Sequence, residues 1–454
     1  MDGIILMATK ICKLDFYRKA ENIFEQYKND NMAIFLDSSL ENQQGKYSII
    51  GLNPYLILKE IDGVFYKNDV PQVESFEQGM QKYLERYKEN NPTSLPLISG
   101  AFGYFSYDYG RKFEDIHSRH PKKLFIPDAL FVFHDLLIID DKSEQTLYIT
   151  ARGELEDPDI AMERLKTEIK ECQSYKIPEK HNSFAEFIPN FTKEDYKNAI
   201  HKMISYIVEG DIYIANMTQQ LTIESKKDPY DVYRYLRTYN PAPFGSFFQC
   251  GDFQIISVSP ERFLQIKKDR IETRPIKGTR KRGETKQEDI LLKEELQNSA
   301  KDRSELLMIV DLERNDLNHI CKSGSVNVTR HFEVETYATV FHLVTTIIGT
   351  LKENLEISDL LGAVFPGDSI TGAPKICAME IIDELEHDRR NLYTGSLGYF
   401  SFDGNCDFNI IIRTAIHQNK MYHLGVGGGI TCESDLEFEY EETLQNFRGE
   451  SIFR

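Results

Sequence analysis

Short apolar runs recur along the chain, and they predict many β-strands with fewer, longer helices between them. The strand-like runs are residues 55–58, 130–133, 136–139, 254–258, 325–328 and 409–414. Apolar residues at helical spacing predict helices over residues 161–172, 193–209, 289–310 and 373–385. Strands in series, with few helices, predict an α/β (α+β) fold with largely antiparallel sheets.

The most polar connection, residues 154–189, suggests an N-terminal region over residues 1–185 and a catalytic region over 186–454. One internal echo crosses this boundary. Residues 100–108 (GAFGYFSYD) recur as residues 395–403 (GSLGYFSFD), with six of nine positions identical. Two related sheet halves would explain the echo, and so would chance convergence of β-prone residues.

Composition narrows the classes of function. With 54 Lys and Arg against 72 Asp and Glu, the net charge of −18 argues against nucleic acid as a partner. It leaves room for a small anionic substrate in a local cationic pocket. No apolar run approaches the roughly 18 residues needed to cross a membrane. The seven cysteines are scattered without Cys-x-x-Cys spacing, which predicts a reducing, cytoplasmic location.

Lys277 is the first candidate for chemistry, in the segment TRPIKGT at residues 273–279. Pro275 restricts the backbone and Gly278 relaxes it, so we expect a turn that presents the lysine rigidly. A lysine becomes a nucleophile when its surroundings are dry or cationic. The alternative is a solvated lysine in a basic loop, as most lysines are.

Carboxylates form the second candidate. Helical spacing places Asp302, Glu305 and Ile309 on one face, and Glu439 and Glu442 lie three residues apart near the C-terminus. Two such pairs could hold Mg²⁺, which takes one or two carboxylates plus waters and substrate oxygens. Taken alone, each pair is more typical of a solvent-facing helix edge than of a metal site.

Three further features could bind a ligand or could simply be structural. Residues 368–375 open a predicted helix, whose free N–H groups attract negative charge. The glycines of residues 425–429 would allow close approach of a ligand, or would simply form a tight turn. His342 lies in an apolar run, where a histidine is more often a core residue than a catalyst.

Taken in order, these motifs resemble the chorismate-utilising enzymes. The resemblance is strong over residues 190–447 and weaker before them. Its blocks are SPERF (259–263), RPIKGT (274–279), DLERND (311–316), ITGAPK (370–375), IRT (412–414) and GGGI (427–430). It implies one large domain of two orthogonally packed, mostly antiparallel sheets flanked by helices.

The resemblance also implies roles for individual residues. Lys277 would add to ring carbon C2 of chorismate, while Glu261, as general acid, protonates the departing C4 hydroxyl. Ammonia would then attack C4 and expel the lysine, giving 4-amino-4-deoxychorismate for p-aminobenzoate and folate synthesis. Mg²⁺ would be held by Glu305 and Glu442, with Glu439 close by, and His342 would lie beside the ring. The implied substrate-binding residues are Thr371, Tyr393, Arg413, Gly427, Gly428 and Gly429.

Lys277 favours the branch that forms 4-amino-4-deoxychorismate, since the branch that forms anthranilate carries alanine at this position. Anthranilate formation and a catalytically idle tryptophan-binding relative remain the alternatives. Family resemblance further implies a glutamine amidotransferase subunit that supplies ammonia in a heterodimer. Segments similar to a tryptophan pocket contain Ser38, Lys46, Tyr47, Ser48, Pro243, Phe244 and Gly245.

Two positions depart from the family pattern. Ile214 stands where the water-adding branch has a lysine base and the ammonia-using branches often have glutamine. Asn446 stands where the family often has a lysine that grips a carboxylate. The first departure disfavours water as the nucleophile. The second predicts either weaker binding of the substrate or another cation in place of that lysine.

Overall fold

The computed structural model describes residues 8–42, 44–174, 176–179, 187–337 and 340–445. In these ranges the strand pairings are antiparallel, as the sequence predicts. The strands are β1 (Lys10–Lys13), β2 (Ile34–Asp37), β3 (Tyr47–Ile61), β4 (Val64–Lys67), β5 (Val70–Pro71), β6 (Gly100–Phe105), β7 (Ala129–Asp141), β8 (Thr146–Ala151), β9 (Ile188–Pro189), β10 (Ile214–Glu224), β11 (Phe244–Gln249), β12 (Phe253–Ser259), β13 (Arg262–Lys267), β14 (Arg270–Thr273), β15 (Ile276–Lys281), β16 (Asn327–Thr336), β17 (Val340–Thr350), β18 (Gly372–Ala373), β19 (Ser396–Ser401), β20 (Cys406–Ile410), β21 (Thr414–Gln418) and β22 (Met421–Ile430).

Helices cover the sheets from outside. They are α1 (Ala20–Phe24), α2 (Phe76–Arg86), α3 (Pro158–Glu171), α4 (Lys193–Glu209), α5 (Pro229–Tyr239), α6 (Lys286–Asn298), α7 (Ala300–Ile320), α8 (Ile357–Val364), α9 (Lys375–Leu385) and α10 (Leu436–Gln445), with 3-10 turns at Tyr107–Phe113 and Asp368–Ile370. The predicted fold class, a large antiparallel β-structure flanked by helices, is confirmed.

The pairings form two series that share the long strands β3 and β7. One series runs β1–β8–β7–β3–β2–β11–β12–β21–β22–β10, and the other runs β4–β3–β7–β6–β19–β20–β13–β14–β17–β16. Side chains alternate between cores along the shared strands: Leu130 and Val132 pack in a core between the series, whereas Phe131 and Phe133 face the core that α7 and α8 cover. The two series therefore pack face to face as layers.

The echoing segments are neighbours in this architecture. β6 and β19 pair directly, with Gly103 opposite Gly398 at the centre of the ladder. A Cβ at either glycine would collide with the backbone of the next strand, at Leu130 and Asp407 respectively. Strands from before and after residue 185 thus share sheets, as the β2–β11 and β6–β19 pairs show, while the boundary at 185 itself stays a prediction.

Several predicted elements have different limits. The helix expected over 289–310 is two helices, because Ser299 ends α6 and caps α7 through its side chain, which accepts from the Asp302 N–H. The strand expected over 409–414 is the junction of β20 and β21, where Arg413 has φ of 50°. The strand expected at 325 begins at Asn327. In the described ranges, no helix combines the length and apolar character that crossing a membrane requires.

Candidate active site

Lys277 lies on β15, at a β-bulge rather than in the turn that we expected. The register against β17 shifts between Lys277 and Thr279, and the extra residue, Gly278, has φ of +77°. A glycine is needed there because this left-handed conformation strains residues that carry a Cβ. The bulge re-aims the lysine, whose Nζ donates to the Ser369 carbonyl over 3.1 Å.

Glu261 lies between β12 and β13 and is 5% exposed. Burial raises the pKa of its carboxyl to about 7, against a hydrogen bond from Ser369 and the positive charges of Lys277 and Arg413, which lower it. A carboxylic acid with a pKa near neutrality holds a proton that it can donate. Glu261 and Lys277 thus place a carboxyl group and an amine in one site.

His342 lies on β17 opposite Thr279, whose hydroxyl is 2.9 Å from the imidazole Nδ1. Burial, helped by the charge of Arg413, lowers the pKa of His342 to about 3, so the ring is neutral near pH 7. Its Nε2 is buried and has no hydrogen-bond partner among the described residues. An unsatisfied buried polar atom is costly, and here it offers one hydrogen bond to a ligand.

Three carboxylates face the same region from two helices: Glu305 on α7 and Glu439 and Glu442 on α10. Desolvation raises the pKa of each, and repulsion from another member of the set raises it further for Glu439 and Glu442. Lys277 opposes this effect at Glu305 and Glu442. The Oε2 atoms of Glu439 and Glu442 are both 3.5 Å from the point that a Cβ at Gly428 would occupy.

This donor set fits a hard divalent cation, because oxygen ligands and mutual repulsion favour Mg²⁺. No group of three or more His, Cys, Asp or Glu residues stands at metal-binding distances within the described chain. Two carboxylates with substrate and water oxygens therefore suit the arrangement better than a cage made of protein alone.

The three glycines lie in strand β22, so the tight turn that we considered is wrong. Gly427, Gly428 and Gly429 pair with Thr218, Met217 and Asn216 of β10. A Cβ at position 427 would meet the Met217 carbonyl at 2.4 Å, which requires glycine for packing. At position 429 the same atom would lie 3.2 Å from Lys277 Nζ. The glycines therefore open space in front of the lysine.

The segment 368–375 differs from the predicted helix start. Residues 372 and 373 pair with β10, and helix α9 begins only at Lys375. Thr371 is buried, and its hydroxyl donates to the Gly367 carbonyl over 2.9 Å. The Lys375 ammonium contacts Asp316 and Asp368 at 2.5 and 3.2 Å, so it ties this segment to α7.

Sequence reasoning missed the Glu386–Arg390 pair, and it included Ser369 only as a member of the segment 368–375. Ser369 contacts both Lys277 and Glu261, a role that the segment alone did not reveal. Arg390 pairs with Glu386 at 2.7 Å and donates to the Ile370 carbonyl over 2.7 Å, supporting the same segment from behind. Tyr393 lies against Gly425, where a Cβ would be 2.0 Å from its ring.

A separate cavity of about 680 Å³ brings together most of the residues similar to a tryptophan pocket. Ser38, Lys46, Tyr47, Pro243, Phe244 and Gly245 line it. Ser48 lies behind the wall, where its hydroxyl donates to Asp37 over 3.1 Å. Sequence reasoning thus grouped segments that are 200 residues apart in the chain.

Of the two departures from the family pattern, only Ile214 can be located. It is 2% exposed, and its Cδ1 is 3.5 Å from the Cβ point of Gly429 beside Lys277. An apolar methyl therefore flanks the amine. Asn446 lies outside the described residues.

The chain is similar to a known protein family and to named members of it. A family profile described as chorismate binding enzyme matches residues 37–449. "Anthranilate synthase component 1" of Aquifex aeolicus (strain VF5) is 34% identical over 441 residues, 93% of this chain and 89% of the relative. "Aminodeoxychorismate synthase component 1" of Bacillus subtilis (strain 168) is 35% identical over 447 residues, 95% and 93% of the two chains.

A solved structure shares the fold. The crystal structure of anthranilate synthase component I from Streptococcus pneumoniae TIGR4 superposes with a TM-score of 0.81 at 29% sequence identity, and it covers 91% of this chain and 94% of that one. The similar proteins carry the names of two different reactions at nearly equal identity, so overall similarity does not separate those reactions.

Proposed function

Because the chain belongs to the family of chorismate-binding enzymes, we propose that it is the large subunit of an aminodeoxychorismate synthase. It replaces the C4 hydroxyl of chorismate with an amino group and forms 4-amino-4-deoxychorismate. The product would serve p-aminobenzoate and folate synthesis.

Lys277 is the observation that carries this proposal. Its amine lies 3.2 Å from the Cβ point of Gly429 and donates to Ser369, and Ser369 also hydrogen-bonds the acid Glu261. An amine at this place offers a nucleophile that the alanine of the anthranilate-forming branch lacks. Ile214 next to it has no group that could activate water.

The atoms balance over two steps. In the first, the neutral Lys277 amine adds to C2, the ring double bonds shift, and the C4–O bond breaks. Glu261 gives its proton to the departing oxygen, which leaves as water. In the second, ammonia adds at C4, the double bonds shift back and the C2–N bond to Lys277 breaks. The surplus proton of the attacking nitrogen returns to Glu261, and the enolpyruvyl ether is kept throughout.

Other residues would hold the substrate. Arg413, Thr371 and the backbone of residues 427–429 would receive its carboxylates, and the free Nε2 of His342 would hydrogen-bond beside the ring. Glu305 and Glu442, with Glu439 close by, would hold Mg²⁺, which supplies positive charge against the ring carboxylate. Tyr393, which lies against Gly425, would also help to position the substrate.

Two binding partners belong to the same proposal. A glutamine amidotransferase subunit would deliver ammonia, in a heterodimer with this chain. Tryptophan would bind among the segments around Ser38, Lys46 and Phe244 in the large cavity.

The test needs the purified chain, chorismate, Mg²⁺ and an ammonium salt. The expected product is 4-amino-4-deoxychorismate without pyruvate, and mass spectrometry of the intact chain without ammonium should detect chorismate less one water bound to it. Lys277→Ala should abolish that adduct, whereas exposed Lys322→Ala should keep it. Anthranilate together with pyruvate would assign the rival reaction, and the absence of any turnover would indicate an idle relative.

A further inference from the structure

The large cavity extends well beyond the residues similar to a tryptophan pocket. Its volume of about 680 Å³ is in the range of pockets for drug-sized ligands, so a single amino acid leaves much of it empty. One side is apolar, with Leu36, Pro243 and Phe244. Another part of the lining comes from strands β13, β14, β16 and β17, to which no residue of the proposed tryptophan site belongs.

The lining of the cavity is rich in basic side chains. Seven side chains lining the cavity are basic and three are acidic, in a chain whose net charge is −18. The acids already have partners: Asp37 pairs with Arg237 at 2.7 Å, and Glu272 and Asp407 pair with Arg262 at 3.1 and 2.9 Å. Lys46, Arg270 and Arg274 are paired as well, with Asp141, Glu272 and Glu335 respectively. Within the described ranges, the positive charge that remains lies on Lys267, Lys268 and the weakly paired Arg330, and low-dielectric walls strengthen its pull on an anion.

Strand geometry gathers these cations on one face. Arg270 and Glu272 are alternate residues of β14, so they project to the same side of the sheet, and Arg274, just after the strand, lines the same cavity. Glu272 lies opposite Ile348 of β17, and two residues back along β17, Thr346 lies opposite Arg330 of β16. Arginines from two strands and the Thr346 side chain thus line one wall.

Thr346 adds an independent sign of a ligand. It is 4% exposed, it lines the cavity, and its hydroxyl has no hydrogen-bond partner among the described residues. Among the residues that the structure describes, Arg330, across the ladder, forms one ion pair, with the partly exposed Glu333 at 3.6 Å. A surface pair of this kind contributes little, so the guanidinium can turn to an anion at low cost.

We propose that this wall is an anion subsite and that the cavity binds an elongated aromatic acid. The aromatic ring lies beside Phe244, and a carboxylate reaches Arg330 and Thr346. A ligand of this class needs a ring and an anionic group separated by more than the side chain of one amino acid. The proposal concerns binding alone and does not depend on the reaction proposed above.

Isothermal titration calorimetry on the whole chain tests the proposal, with p-aminobenzoyl-L-glutamate as the probe. We expect it to bind at least tenfold more tightly than p-aminobenzoate, which lacks the distant carboxylates, and than L-glutamate, which lacks the ring. Arg330→Gln should weaken the probe about tenfold, the loss of one charge-assisted hydrogen bond. Thr346→Val should weaken it several-fold while thermal unfolding stays unchanged.

Controls separate this subsite from general charge effects. Arg164→Gln removes another half-exposed arginine that has acidic partners but lies outside the cavity, so it should leave probe binding unchanged. Arg330→Gln should not alter the heat measured with L-tryptophan, whose carboxylate lies close to its ring. Equal probe affinity in the wild type and in Arg330→Gln, or no binding of the probe, would overturn the proposal.

Discussion

Lys277 Nζ lies 3.2 Å from the point where residue 429 would carry a Cβ, and residue 429 is glycine. Strand β22 therefore leaves open the volume that the amine and a bound ring must share. The two residues are 152 positions apart in the chain. They meet because β10 holds β22 on one side and β18, next to Ser369, on the other.

Gly429→Ala should displace the lysine without unfolding the chain. The added methyl group meets only the flexible end of a side chain and Ile214, so the lysine moves by a few tenths of an ångström or more. We expect at least a tenfold slower formation of the covalent adduct, because nucleophiles act only at close geometry. Gly362→Ala, whose Cβ would make ordinary contact at 3.7 Å, should react at the wild-type rate.

The raised pKa of Glu261 predicts how the turnover rate falls at high pH. With a pKa of about 7, the acid form is lost as the pH rises through 7, so turnover should fall there. Glu261→Gln should lower turnover by roughly 10²–10⁴, the usual contribution of a general acid. Rates measured from pH 5.5 to 9 with saturating chorismate check both statements.

The free energy of unfolding should also depend on pH through the raised pKa of Glu261. The folded pKa of Glu261 is above the ordinary value of about 4.3, so between these values the native state binds more protons than the unfolded state. The free energy of unfolding should therefore fall as the pH rises from about 4.3 to 7. Urea unfolding should show a smaller fall in Glu261→Gln, and an unchanged slope would contradict the assignment. Exposed Glu353→Gln is the control.

The carboxylates of α7 and α10 predict how Mg²⁺ acts on the chain alone. Without the cation, Glu305 and Glu442 repel each other, so Glu305→Gln should raise the melting temperature slightly. Addition of MgCl₂ should then raise the melting temperature of the wild type but not of the variant. A rise of equal size in both proteins would remove Glu305 from the proposed site. Glu353→Gln should behave as the wild type does.

Replacement of Lys375 should destabilise the fold. Its ammonium is the shared partner of Asp316 and Asp368, and Asp368 is 4% exposed. Lys375→Met leaves the buried carboxylate of Asp368 facing the partly buried one of Asp316, which should lower the free energy of unfolding by about 3 kcal/mol. Lys322→Met, which removes a partner of exposed Glu353, should cost less than about 1 kcal/mol. Urea unfolding at pH 8, where Asp368 is ionised, compares the two.

Local sequence patterns predicted correctly those elements whose ends are set by neighbouring residues. The helix expected over 193–209 is α4 without change, because Thr192 caps it and Gly210 ends it in the left-handed conformation. The runs 130–133 and 136–139 merge into one fully buried strand, β7, since apolar runs do not reveal whether the polar residues between them break the strand. The triple glycine was ambiguous for a similar reason, because glycine serves turns and crowded strands alike.

By itself the sequence determined the fold class, the family and the identity of most residues around Lys277, because motif order and periodic burial are written along the chain. Only the tertiary structure decided which of them touch. The contact of Ser369 with Lys277 and Glu261, the neutrality of His342 and the joining of Phe244 and Arg330 in one cavity all depend on segments remote in sequence. A pKa or a cavity reflects burial and neighbouring charge in three dimensions, which no local pattern records.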